Sequence, residues 1–427
     1  MPTVQQIASK DIYHGLPVFP ETTNGLSAIV VGATGISGDH MLRVLCENPG
    51  RWSKIYAMSR RPPTGQWQEN VTHIPIDLSQ SPSDLASLMI ESKLKADYIF
   101  FFAYIQPKPK EEGGNIWSAA NELVAINTGL LSNFLESLVL AKVLPKRILL
   151  QLGAKYYGGH QGPISVPQEE TDPRIFLEPN FYYSQEDLLK GFCETHGIGW
   201  NTTRPSWIPG AVQDAAMNIC LPLAIYATVQ KHLGRPLDYP SDVQAWETNQ
   251  SMSSAQLNSY FYEWAILSPN TRNESFNVTD GCAFTFGKFW PKLADRFGIP
   301  WTGPSADDHA YVVTEFGHNP PPRGFGPVGK VRARFTFTEW AKENKVQNAW
   351  KEISNQYNLV NAALGLADAE RVFGFLDMAV LSSWPSHLSM SKSRKAGFFG
   401  FVDSTESIFK IFQEFVDLQM IPPLPQI

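Results

Sequence analysis

At 427 residues, 43% hydrophobic and 18% charged, the chain can bury a sizeable core, in two or three average domains or one large two-lobed body, which argues against disorder. A formal net charge of −6 at pH 7 argues against a surface built for nucleic acid or an anionic membrane. The four cysteines, Cys46, Cys193, Cys220 and Cys282, stand far apart with no C-x-x-C pair, which fits free thiols in a reducing compartment.

Residues 1–25 read as an irregular arm, polar and proline-interrupted, without a secretory pattern. The apolar stretch at 215–229 is broken by Asn218 and Pro222 and is too short to cross a bilayer, so a cytoplasmic location is expected. The first strong signal follows. A β-branched run, Ala28-Ile29-Val30-Val31, enters Gly32-Ala33-Thr34-Gly35-Ile36-Ser37-Gly38, and a helical pattern (Met41, Leu42, Val44, Leu45) leaves it. Strand, glycine-spaced turn and helix together give G-x-x-G-x-x-G a mechanism. Gly32 permits the tight turn, Gly35 lets backbone amides approach a pyrophosphate, and Gly38 lets the helix lie close to the sheet.

A second strand over 54–59 ends in Arg60-Arg61. In a dinucleotide fold the adenosine ribose is read there, and arginines accommodate a 2′-phosphate where an acidic residue would select the 2′-hydroxyl. The pair therefore favours NADP(H), the alternative being a solvated basic turn. A third strand over 72–76 ends at Asp77-Leu78, whose carboxylate can accept from an adenine amino group or cap a surface turn. Continuous apolar residues at 96–102 suit a central parallel strand buried on both faces, stopping at Ala103-Tyr104. A long helix at 117–140, a strand at 147–151, a helix at 185–194 and a strand at 199–203 complete the pattern. Alternation of this kind predicts a Rossmann-type doubly wound parallel sheet over 26–210. Beyond it, 211–427 reads as a mostly helical substrate-binding lobe. Helices are expected at 217–233, 255–267, 284–297, 337–357 and 408–418, and one strand near 274–278 returns to the sheet.

Short-chain reductases use a tyrosine hydroxyl as proton donor beside a lysine one helical turn later. Here Glu186 and Asp187 stand four residues beyond Tyr182 and Tyr183, so a lysine must come from elsewhere, and Lys155 after the fifth strand is the candidate. At this point the chain resembles the progesterone 5β-reductase/iridoid synthase-like family, atypical extended short-chain dehydrogenases. The matching pieces include the glycine loop, Ser59-Arg60-Arg61, Leu150-Gln151-Leu152-Gly153-Ala154-Lys155-Tyr156, Asn180-Phe181-Tyr182-Tyr183, Arg204-Pro205 and Met217-Asn218. Order and spacing match from about residue 27 to the C-terminus.

The resemblance implies an NADPH-dependent enzyme that adds hydride 1,4 to the C=C of an α,β-unsaturated carbonyl, in a homodimer. By the same match Tyr182 and Lys155 are the catalytic pair. Thr34, Gly35, Ile36, Arg60, Arg61, Asp77, Leu78, Gln151, Ile208 and Met217 fall at cofactor-contacting positions, and Ala103 replaces a threonine near the nicotinamide. Leu152, Ala154, Tyr156 and Trp207 depart from the family's usual residues. With Phe101, Phe102 and Tyr104, Trp207 implies a bulkier, more apolar pocket rim, and Tyr104, Tyr156 and Trp207 are candidate substrate contacts. The expected partner is an apolar carbonyl compound, and no histidine or cysteine spacing suggests a metal. The same Tyr/Lys pair would also serve 1,2-reduction of the carbonyl; the other readings are a redox-neutral isomerase, epimerase or cyclase using the same fold and acid, and a cofactor-sensing protein without turnover, against which the intact pair argues. Tyr182 and Tyr183 could also be aromatics packed at a helix start.

Overall fold

The computed structural model describes residues 6–107, 119–360 and 368–425. Its strands are β1 (Ile7–Lys10), β2 (Tyr13–Pro17), β3 (Leu26–Val31), β4 (Trp52–Ser59), β5 (Val71–Pro75), β6 (Tyr98–Phe101), β7 (Arg147–Gln151), β8 (Gly199–Pro205), β9 (Leu237–Asp238), β10 (Glu274–Val278), β11 (Trp301–Thr302), β12 (Val312–Glu315) and β13 (Lys330–Ala333). Seven of them form one parallel sheet in the order β10-β8-β7-β6-β3-β4-β5. The order reverses at β3, which opens a crevice beyond the carboxyl ends of β3 and β6.

Strand periodicity explains the layers, because successive side chains point to opposite faces. Ile29, Val31, Ile99, Phe101, Ile148 and Leu150 pack on one face with residues of α2 (Pro82–Glu91), α3 (Ala120–Leu140) and α4 (Phe181–His196). Ala28, Val30, Phe100 and Leu149 point the other way, onto α1 (Ile36–Cys46) and α7 (Ala255–Leu267). Buried on both faces, these strands read as unbroken apolar runs. By length and hydropathy alone α3 could cross a membrane, yet Leu130, Leu131, Phe134 and Leu135 are buried in the sheet layer.

The C-terminal region is largely helical. Its own core joins residues of α5 (Cys220–His232), α8 (Phe286–Phe297), α9 (Phe337–Ala341), α10 (Asn344–Tyr357), α11 (Ala369–Val380) and α13 (Ser404–Asp417) around Tyr226, Trp290, Phe337, Trp340 and Phe412. Two shorter helices, α6 (Val243–Glu247) and α12 (Ser391–Ala396), complete the described set.

Four expectations need correction. The N-terminal arm is not irregular throughout: β1 and β2 form an antiparallel hairpin, and Tyr13 and Leu16 are buried against the α7 layer. The expected division at residue 210 is crossed by α7, not by β10 alone, since Leu257, Phe261 and Trp264 cover the sheet face that α1 leaves open. The helix read at 337–357 is two helices, with Lys342 ending α9 and Glu343 preceding α10. The region also contains an antiparallel β12–β13 hairpin that the helical reading missed. Of the helix expected at 117–140, residues 117 and 118 lie outside the described residues.

Phe261 is fully buried between α7 and the sheet. Phe261→Ala should therefore lower unfolding free energy by about 3–5 kcal/mol, read as a lower midpoint in a urea titration.

Candidate active site

Six strand ends of the sheet open into one cavity of about 970 Å³. Gly32 follows β3, Arg60 follows β4, and Ile76 to Leu78 follow β5. Phe102 to Gln106 follow β6, Leu152 follows β7, and Ser206 to Ile208 follow β8. The sequence-predicted residues Thr34, Gly35, Ile36, Gly38, Arg61, Asp77, Ala103, Tyr104, Gln151, Lys155, Tyr182, Trp207 and Met217 all line it.

The glycine loop is built for close approach. Gly32 has φ +85°, and a Cβ there would stand 2.9 Å from the Ala103 nitrogen. A Cβ on Gly38 would stand 2.2 Å from the Gly32 carbonyl oxygen, so only glycine lets α1 begin this close to β3. Gly35 precedes α1 and has room on its cavity side, its nearest neighbour being the Gly32 oxygen at 3.5 Å. The first turn of α1 thus offers amides to a pyrophosphate, and the cradle fits a dinucleotide.

At the ribose end the Ser59 hydroxyl donates to the Arg61 carbonyl at 2.7 Å and shapes the turn that presents Arg60 and Arg61. Asp77 lies opposite. Its Oδ1 accepts from the Ser79 amide at 3.0 Å and hydroxyl at 2.8 Å, which, with the nearby Arg60 cation, hold its carboxyl below the ordinary range.

Tyr182 and Lys155 reach the cavity from different elements joined by one side chain. Asn180 caps α4: its Oδ1 accepts from the Tyr182 amide at 3.1 Å, while its Nδ2 donates to the Lys155 carbonyl at 3.1 Å. A Cβ on Gly153 would lie 2.7 Å from the Tyr182 hydroxyl, so the absence of a side chain there makes room for the phenol. Burial pushes the Tyr182 phenol above its ordinary value, keeping it neutral and a donor. Burial pushes the Lys155 ammonium down to about 8, opposed by the Glu178 carboxylate.

Tyr183 is structural. Its hydroxyl donates to the Tyr156 carbonyl at 2.5 Å and accepts from the Ile175 amide at 2.9 Å. Glu186, one turn beyond Tyr182, points away from the cavity. It binds Arg174 at 2.7 Å, Arg204 at 3.3 Å and the Tyr156 hydroxyl at 3.1 Å. Burial alone would raise its carboxyl, but the Arg174 hydrogen bond and the Arg204 charge bring it down to about 2.

Two predicted pocket residues are corrected. The 3-10 turn Ala154–Tyr157 turns Tyr156 into the Glu186–Arg204 cluster, with the Arg204 guanidinium 3.5 Å above its ring, so Tyr156 does not line the cavity. Phe101 packs on Phe134 within the sheet layer, their ring centres 5.5 Å apart. Several lining residues had no sequence signal. Asp214, Arg371, Gln250 and His160 sit in no motif, and Thr314, Val331, Phe316 and Trp384 arrive on or beside the β12–β13 hairpin. The β-branched run Val312-Val313-Thr314 was the available cue. Burial holds the His160 imidazole neutral, with the Lys155 and His318 charges adding to it. Among the described residues no group of His, Cys, Asp or Glu could hold a metal ion.

Gly38→Ala should weaken dinucleotide binding on the order of tenfold while the fold survives, measured by titration with NADP⁺ and NAD⁺ alongside thermal melting. For Lys155 the folded value lies below the unfolded 10.5, so its charge destabilises the fold fully below about pH 8 and loses that effect as pH rises toward 10.5. Lys155→Met should accordingly stabilise the apoprotein at pH 7, with its advantage in melting temperature shrinking between pH 8 and 10.5.

Both the fold and the sequence have counterparts among known proteins. Across 93% of this chain and 96% of the other, the fold superposes on the enzyme WbmG of Bordetella bronchiseptica in complex with NAD, at a TM-score of 0.55 and 13% identity. The (S)-8-oxocitronellyl enol synthase of Catharanthus roseus is 29% identical over 405 residues, 92% of each chain. The 3-oxo-Delta(4,5)-steroid 5-beta-reductase of Arabidopsis thaliana is 28% identical over 404 residues, 92% of this chain and 93% of that one. The family model for the PRISE-like Rossmann-fold domain matches residues 28–316, and with its nucleotide-binding Rossmann fold the chain belongs to that family.

Proposed function

We propose that this protein is an NADP(H)-dependent reductase of an apolar α,β-unsaturated carbonyl compound. The observation that carries the reading is the convergence of Tyr182 and Lys155 on the same cavity as the glycine loop and Arg60-Arg61. The loop and α1 would hold the pyrophosphate, and Arg60 and Arg61 a 2′-phosphate. When bound, the reduced cofactor supplies the hydride. The protein's part is electrostatic. Negative charge develops on the substrate oxygen, and the neutral Tyr182 hydroxyl is a donor ready to meet it. Lys155 retains its proton below about pH 8 and adds positive charge to the same side.

Beyond Tyr182 the cavity wall turns apolar. Trp207 packs edge-on against Phe375 with ring centres 5.1 Å apart, and Phe316 against Trp384 at 4.8 Å. The Trp207 indole donates to Gln250 Oε1 at 3.2 Å and the Trp384 indole to the Gly159 carbonyl at 3.0 Å, so these rings present apolar faces with their polar edges satisfied. The names of the plant relatives, a steroid 5-beta-reductase and an enol synthase, support a carbonyl substrate of this character.

The test is NADPH oxidation with a panel of small enones, enals and saturated ketones, the products assigned by mass spectrometry and NMR. Tyr182→Phe should lower kcat by about 10²–10³-fold with little change in NADP⁺ affinity, as for loss of an oxyanion donor. Saturated carbonyl products establish 1,4-addition. Alcohols would move the assignment to 1,2-reduction, and product without NADPH consumption would overturn the redox reading.

A further inference from the structure

Three side chains from distant segments meet at the ribose end of the cavity. Arg61 follows β4, Asp214 lies between β8 and α5, and Arg371 stands in the first turn of α11. Arg61 Nη2 donates to Asp214 Oδ2 at 3.3 Å, and Arg371 Nη2 donates to Asp214 Oδ1. The Arg371 amide also donates to Asp368 Oδ1 at 3.1 Å, which fixes the start of its helix. One carboxylate thus ties a nucleotide-reading arginine to the C-terminal lobe.

We propose that Asp214 is a specificity-determining residue, an internal competitor that a 2′-phosphate must displace from Arg61; this rests on the NADP(H) reading above. The exchange is cheap because the pair is accessible. The Arg61 side chain is 75% exposed and that of Asp214 36%, and ion pairs in such surroundings are weak. A phosphomonoester carries up to two charges and three acceptor oxygens, and a guanidinium binds it in bidentate fashion, so it outcompetes a single carboxylate. Asp214 keeps Arg371 after the exchange, which leaves the lobe anchored while Arg61 turns to the ligand. The carboxylate therefore subtracts from affinity for a 2′-phosphorylated nucleotide and leaves affinity for the unphosphorylated one alone. Arg371 moderates this by sharing the carboxylate.

Isothermal titration of the full chain with 2′,5′-ADP and with 5′-AMP tests the assignment. Asp214→Asn, which keeps shape and removes charge, should bind 2′,5′-ADP roughly two- to fivefold more tightly, with 5′-AMP unchanged. Arg371→Met should have the opposite sign, since it leaves Asp214 to Arg61 alone, and weaken 2′,5′-ADP by a similar factor. Unchanged or weaker 2′,5′-ADP binding by Asp214→Asn overturns the competitor role, provided the wild type prefers 2′,5′-ADP and Arg61→Ala abolishes that preference. A wild type that binds the two nucleotides equally overturns the NADP(H) reading itself, and the competitor role with it.

Discussion

Two hydrogen bonds at the Asn180 side chain, one accepted and one donated, fix where Tyr182 and Lys155 meet the cavity. One caps the first turn of α4 through the Tyr182 amide, and the other holds the Lys155 carbonyl in the turn after β7. An N-cap side chain satisfies a helix donor that would otherwise be orphaned, commonly contributing about 1 kcal/mol. Here the same group also sets the spacing between two side chains that come from different elements. Gly153 completes the arrangement, because any side chain there would occupy the place of the Tyr182 hydroxyl.

This arrangement brings a lysine to the cavity beside Tyr182 although none stands one helical turn after it. That position holds Glu186, which faces away from the cavity and gathers Arg174, Arg204 and the Tyr156 hydroxyl. A buried carboxylate is tolerated only when it is paired and hydrogen-bonded, and this one is. Its partners come from the segment before α4, from β8 and from the turn that carries Lys155. The buried charges therefore brace the scaffold behind the cavity, while Lys155 reaches it from the turn after β7.

The cavity has two ends with different origins. The nucleotide end is made by the carboxyl edge of the sheet, where glycines and short turns leave amides and arginines facing outward. The opposite end is made by Trp207 beside β8 and by residues of the C-terminal region such as Phe316, Phe375 and Trp384. Asp214 and Arg371 connect the two, so the lobe that shapes the apolar end also touches Arg61 after β4.

What the sequence determined by itself is local. Strand–turn–helix periodicity and glycine spacing identified the nucleotide loop, since Gly32 and Gly38 act on neighbours a few residues away or on the adjoining strand end. Apolar runs at Ile99 to Phe101 and Ile148 to Leu150 marked strands covered on both faces. The motifs around Tyr182 and Lys155 marked both as candidates, and both side chains line the cavity. The tertiary structure decided what depends on contacts between remote segments. Tyr156 and Lys155 are adjacent in the chain, but a single 3-10 turn sends one to the Arg204 cluster and the other to the cavity. The α7 helix belongs to the sheet because Phe261 and Trp264 pack on Phe276 of β10 and Tyr262 on Phe102 after β6, pairings that no local period encodes. Asp214 and Arg371 lie 157 residues apart and become neighbours only when the lobe closes on the sheet edge. Side-chain periodicity specifies a face, and only the folded chain specifies what that face meets.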